Sequence, residues 1–201
     1  TRSLMAITKN RVQAGLNPYD GIKSAYEEWK DKSNYGSTTF SVTQMRNNTL
    51  FVAQLGDSCI LVQRKGRVVY QSNEQEHLFN IPFQLGSGND SIEDAWRYQI
   101  SLLPGDTIVL ASDGLFNNLY RSGILSIINS YPISTEDTSS LAQTIAEELA
   151  AVAEEQSNNP KIWSPYAQRS YEMGITEAFA LNQLGGKPDD ITVIVGRVLK
   201  D

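Results

Sequence analysis

Between Thr38 and Gln71 the sequence alternates short apolar-rich runs with pairs of turn formers, a cadence that leaves room for little except antiparallel sheet. Thr38–Met45 reads as a strand, Asn47-Asn48 as a tight turn and Thr49–Leu55 as the returning strand. Gly56-Asp57 predicts the next turn, Cys59–Gln63 a third strand, Lys65-Gly66 another turn and Arg67–Gln71 a fourth strand. The expectation is a four-stranded meander.

Helical spacing flanks this core. Leu4, Ile7 and Val12 recur through Ser3–Ala14, Asn17-Pro18 interrupts, and Ile22, Ala25, Tyr26 and Trp29 share one face of Tyr19–Lys30. From Ser72 to Trp96 the pattern dissolves into polar residues with a few aromatics, which predicts a long loop or flap. Tyr98–Leu103, the turn Pro104-Gly105-Asp106 and Thr107–Ala111 read as a further hairpin. Helical turns follow at Leu115–Asn118 and Ser122–Ser130. Thr138–Glu155 is an amphipathic helix with Leu141, Ile145, Ala146, Leu149 and Val152 on one stripe. Another helix is expected from Pro165 to about Ala180, and a last strand over Asp190–Val198. Strands in runs and helices in pairs predict an α+β fold of antiparallel sheets covered by helices, one domain over residues 1–201.

Composition removes several functions. Seventeen basic against twenty-three acidic side chains give a formal charge of -6, which repels a nucleic-acid backbone. One cysteine makes no intramolecular disulfide, and no Cys/His cluster is available for zinc. Apolar runs such as Thr107–Ala111 and Ile191–Val195 fall far short of a membrane span. The chain opens at Thr1 without a signal-like segment, so any targeting peptide is expected upstream.

The usual nucleophiles are poorly placed. His77 has no serine or cysteine motif to serve and reads as a surface polar group. Cys59 and Arg64 are one residue too close for a cysteine phosphatase loop, and Cys59 sits in an apolar run as buried filler. Gly86-Ser87-Gly88 neither follows a strand nor opens a helix, so it is a weak phosphate cradle. Aspartates at strand ends remain: Asp57, Asp113, and the pair Asp189-Asp190. Hard cations such as Mg²⁺ and Mn²⁺ take oxygen ligands, and carboxylates on adjacent strand ends could provide them. Taken singly, each is also an ordinary turn aspartate, and spacing does not show that they converge.

Several motifs in order give a resemblance. Gly36-Ser37-Thr38-Thr39, Leu50–Leu55 with Gly56-Asp57-Ser58, Leu110-Ala111-Ser112-Asp113-Gly114 and Lys187-Pro188-Asp189-Asp190-Ile191-Thr192-Val193 resemble metal-dependent serine/threonine phosphatases of the type 2C class. Glu76–Leu85, Ser164-Pro165-Tyr166-Ala167-Gln168 and Gly185–Asp190 resemble an organellar branch of that class. The resemblance implies an antiparallel β-sandwich flanked by helix pairs (αββα) that lacks its N-terminal strands here. It implies a centre of two Mg²⁺ or Mn²⁺ ions, a metal-activated water that attacks phosphoserine or phosphothreonine in proteins, and a mitochondrial or plastid setting. By motif, Asp113 and Asp189 match metal ligands and Asp57 matches the ligand of a weaker third ion. Gly114 provides the tight turn beside the metal, and Asp190 is expected to orient Asp189 or a metal-bound water. Without metal these carboxylates are expected to repel one another. The stretch 72–96 takes the place of the family's variable flap.

Two departures set the alternatives. The family's early Asp-Gly motif and its phosphate-gripping arginine are not among these 201 residues, and Asn117 stands where relatives often carry an aspartate. Asn117 is expected near Asp113, weakening the third ion. The chain is thus read as part of a phosphatase, inactive by itself, or as a non-catalytic phosphatase-like module that binds a protein partner.

Overall fold

The computed structural model describes residues 2–30, 36–86, 90–131, 138–175 and 185–199. Contacts divide the chain into two compact units, Thr1–Ser58 with Glu74–Leu102, and Cys59–Asn73 with Leu103–Asp201.

In the first unit, helices α1 (Arg2–Gln13) and α2 (Pro18–Trp29) cover a three-stranded antiparallel sheet. Asn17 starts α2: its Oδ1 accepts the Asp20 N–H at 2.9 Å, and Pro18 opens the first turn without a wasted donor. Leu4, Ile22 and Ala25 are fully buried and pack with Phe40, Val42, Ala53 and Leu55. These last four belong to β2 (Phe40–Arg46) and β3 (Thr49–Leu55), a hairpin closed by Asn47 and Asn48 at φ 44° and 59°. Asparagine tolerates that left-handed conformation, and the mirror-image turn suits the strand twist. A short strand β1 (Ser37–Thr38) precedes them.

The second unit holds β4 (Cys59–Arg64) and β5 (Arg67–Gln71). The expected meander is therefore broken between β3 and β4, which lie in different sheets. Burial gives the reason. Every residue from Cys59 to Gln63 is buried, so β4 is covered on both faces and needs neighbours on both sides. It finds them in β5 and in β10 (Thr107–Ala111).

The described residues of 72–96 form more regular structure than a plain loop. They contain a small hairpin, β6 (Glu76–Leu78) with β7 (Ile81–Pro82), then β8 (Leu85–Gly86) paired with β1. A capped 3₁₀ turn at Ile92–Asp94 leads into β9 (Trp96–Ser101). The second expected hairpin also fails: β9 pairs with β3, while β10 pairs with β4. Asp106 accounts for the start of β10. Its buried carboxylate takes both prongs of the Arg64 guanidinium at 2.7 Å, which fixes the strand beside β4.

Helices α3 (Asp113–Phe116), α4 (Arg121–Ser130) and α5 (Thr138–Ser157) follow. Ile145, Leu149 and Ala153 of α5 are fully buried against Leu61, Val109, Leu115 and Ile124. Helix α6 (Pro165–Glu172), capped by Ser164, stops well short of Ala180. Gly174 at φ 72° and the bond from Ile175 N–H to the Ser170 carbonyl end it. The rest of that expected helix, and Ser87-Gly88, lie outside the described residues. The last strand, β11 (Val193–Arg197), begins three residues later than expected and completes the order β11-β10-β4-β5. The α+β class with antiparallel sheets and covering helices is the observed one. No helix among the described residues is long and apolar enough to cross a membrane.

Candidate functional site

Strand β10 alternates buried Thr107, Val109 and Ala111 with half-buried Ile108 and Leu110, and this period delivers Ser112-Asp113-Gly114 to its end. Ser112 fastens the segment before β11 to that point. Its N–H donates to the Thr192 carbonyl at 3.0 Å, its Oγ donates to the Asp190 carbonyl at 2.9 Å, and Oγ accepts the Thr192 N–H at 3.0 Å. Gly114 makes the approach possible, because a Cβ there would lie 2.7 Å from the Asp190 carbonyl oxygen.

Asn118 closes the other side and is fully buried. Its Nδ2 donates to the carbonyls of Gly114 and Lys187, both at 2.9 Å, and its Oδ1 accepts the Lys187 N–H at 2.8 Å. Two chain segments far apart in sequence are thereby locked together, with Asp113 on one and Asp189 on the other.

The two carboxylates meet on one cation. Lys187 Nζ lies 2.5 Å from Asp113 Oδ2 and 2.9 Å from Asp189 Oδ2. The expected repulsion between bare carboxylates is thus corrected: an ammonium from their own motif stands between them. Asn117, at the C-terminal end of α3, donates from Nδ2 to Asp113 Oδ2 at 2.9 Å and fixes the rotamer of that carboxylate. Its carbonyl accepts the Tyr166 N–H at 3.0 Å, tying α6 to the same corner. Asp190 reaches Asp189 through its main chain, its N–H donating to Asp189 Oδ1 at 2.8 Å.

Electrostatics follow this geometry. Burial works to lower the Lys187 pKa, but the hydrogen bonds and negative charges of Asp113 and Asp189 outweigh it and raise the value above that of an ordinary lysine. Burial likewise works to raise Asp189, yet the Lys187 hydrogen bond and charge, with the Asp190 N–H, hold it below the usual carboxylate value. Both groups are held in their charged forms.

Asp113, Gly114, Asn117, Asp189 and Asp190 are therefore gathered in the second unit. Asp57 belongs to the first, in the turn after β3, and is half-buried. No group of three or more His, Cys, Asp or Glu gathers as a cation site among the described residues. Cys59 is buried in β4, as its apolar run suggests. His77 is less idle than expected: it stacks on Phe83 with centroids 3.7 Å apart, and its Nε2 lies 2.8 Å from Asp90 Oδ1. Sequence reasoning missed Lys187 and Asn118. The only signal for Lys187 was a cationic residue two places before a candidate metal ligand, and Asn118 carried none.

The family model of protein phosphatase 2C matches residues 2–152. The chain belongs to the protein phosphatase 2C family. Among its relatives in that family, Protein phosphatase PTC7 homolog fig of Drosophila ananassae is 38% identical over 92% of this chain and 57% of its own length. Probable protein phosphatase 2C 80 of Arabidopsis thaliana is 33% identical over 98% of this chain and 45% of its own length. The chain thus spans about half the length of these curated relatives. The X-ray structure of the photosystem II phosphatase PBCP superposes with a TM-score of 0.85 at 31% identity, over 98% of this chain and 78% of that one. The catalytic domain of the phosphatase PstP in complex with two manganese ions shares the fold, with a TM-score of 0.57 at 18% identity over 99% and 80%.

Proposed function

We propose that this chain carries the metal-holding part of a protein serine/threonine phosphatase that hydrolyses phosphoserine and phosphothreonine with a divalent cation. The observation that carries the reading is the convergence of Asp113 and Asp189 on a single cation. The donor set fits Mg²⁺ or Mn²⁺, which take hard oxygen ligands and keep several waters, so two carboxylates are a sufficient protein contribution for one ion. When bound, the ion supplies Lewis acidity that activates water and offsets charge on the phosphoryl oxygens. Two such ions are proposed for the complete domain, in line with the pair held by PstP. The chain's own residues do the positioning. Asn117 holds the Asp113 carboxylate, the Asp190 N–H holds that of Asp189, and Gly114 lets the two segments approach. Asp57 remains a candidate for a further, weakly held ion on its motif alone. The substrate is a phosphoprotein, and a mitochondrial or plastid setting agrees with the likeness to a photosystem II phosphatase. The 201-residue chain by itself is proposed not to turn over, because its two gathered carboxylates are too few for two ions.

The test is phosphopeptide hydrolysis by the full-length protein with Mn²⁺, with and without chelator. Asp113→Asn should lower kcat by at least about a hundredfold, since even losing a residue that only supports a metal ligand costs up to that much. Its thermal midpoint without metal should fall, because Lys187 then keeps only one of its two carboxylate partners. Near-normal turnover by this variant would falsify the metal-ligand role of Asp113.

A further inference from the structure

We infer that the Lys187 ammonium is a built-in substitute for a divalent cation: it occupies the Asp113–Asp189 carboxylate pair and has to leave it before a metal ion can bind. The inference rests on the phosphatase reading above and adds a competing occupant to it.

Four observations support it. Lys187 Nζ is shared between one oxygen of each carboxylate, at 2.5 and 2.9 Å, and so occupies the oxygens that a divalent ion held by both residues would need. The lysine main chain is immobilised, since Asn118 binds both its N–H and its carbonyl. The preceding Gly186 is wedged against the end of α5, where a Cβ would fall 2.0 Å from the Gln156 carbonyl oxygen. Only the flexible four-carbon stem is left to move. The Tyr166 ring, its centroid 5.6 Å from Nζ, offers the displaced ammonium an aromatic face to rest against.

The consequence is a tax on metal affinity. When only a fraction of molecules present a vacant carboxylate pair, the apparent Kd rises by the inverse of that fraction. The lysine also spares the metal-free protein two unneutralised carboxylates at close range. It trades metal affinity for integrity of the empty state.

Replacing Lys187 with methionine keeps the stem and removes the charge. In the full-length protein, Mn²⁺ binding followed by calorimetry should tighten by about tenfold or more in Lys187→Met. The metal-free melting temperature of the variant should fall, and the rise produced by Mn²⁺ should grow. Equal or weaker Mn²⁺ binding by the variant overturns the inference while leaving the metal reading intact. Absence of Mn²⁺ binding in both proteins overturns the metal reading with it. A second measurement needs no variant. Acylation of wild-type Lys187 by an amine-reactive ester, read by peptide mass spectrometry against the other lysines, should rise several-fold when Mn²⁺ is added. An unchanged or reduced yield, in a protein that calorimetry shows to be loaded, overturns the inference even if Lys187→Met fails to fold.

Discussion

Asp106 shows how one side chain can decide a topology. It is fully buried, accepts both prongs of Arg64, and also takes the Leu103 N–H at 2.8 Å. Removing one partner of such a pair leaves the other charge in a place that no longer suits it. Asp106→Ala should lower the thermal midpoint by at least about 6 °C, and Asp106→Asn, which keeps an acceptor, by less. Thermal unfolding followed by circular dichroism checks the order. At this scale the sequence was uneven in what it disclosed. Asp113 and Asp189 were legible because each stands in a recognisable run at a strand end. Lys187 was not, because which carboxylates share its ammonium depends on two segments brought together by Asn118 and Ser112.

Elements were easier to read than their partners. Short apolar runs between turn formers marked β2 to β5 and β10, and the period of 3.6 marked α2 and α5, because those patterns are local properties of the chain. Pairing is not local. Gly56-Asp57 looks like a hairpin turn whether the chain folds back or passes to another sheet, and only the unbroken burial of Cys59–Gln63 reveals a central strand. The same holds for the loop before the site. Gly186 N–H donates to the Asn159 carbonyl at 3.0 Å, and its α-carbon lies against backbone at the end of α5. Backbone cannot yield as a side-chain tip can, so Gly186→Ala has to displace the segment that carries Lys187 and Asp189. The variant should lose about 1–3 kcal/mol of stability and also bind Mn²⁺ more weakly. Urea unfolding and a Mn²⁺ titration measure the two effects, and unaltered metal affinity would show that the loop tolerates the shift.

At the scale of the whole molecule, each unit has its own apolar core, one around Leu4, Ile22 and Leu55 and the other around Leu61, Val109 and Leu149. Asp113 and Asp189 both belong to the second unit. A ligand that binds only the native form raises the cost of opening whatever holds it. Mn²⁺ should therefore slow amide hydrogen exchange in β4, β10 and β11 more than in β2 and β3, as measured by exchange and mass spectrometry. Equal protection of both units would mean that the ion reports on something other than this pair. The strand order β11-β10-β4-β5 also has a meaning for the newborn chain. Strand β10 can join β4 early, but its second neighbour is synthesised only after α3, α4, α5 and α6. On a ribosome, which releases chain from its N-terminal end, Asp113 must wait for Asp189 through most of that interval. Throughout the wait it lacks the ammonium of Lys187. The pair cannot assemble until α3, α4, α5 and α6 have all emerged.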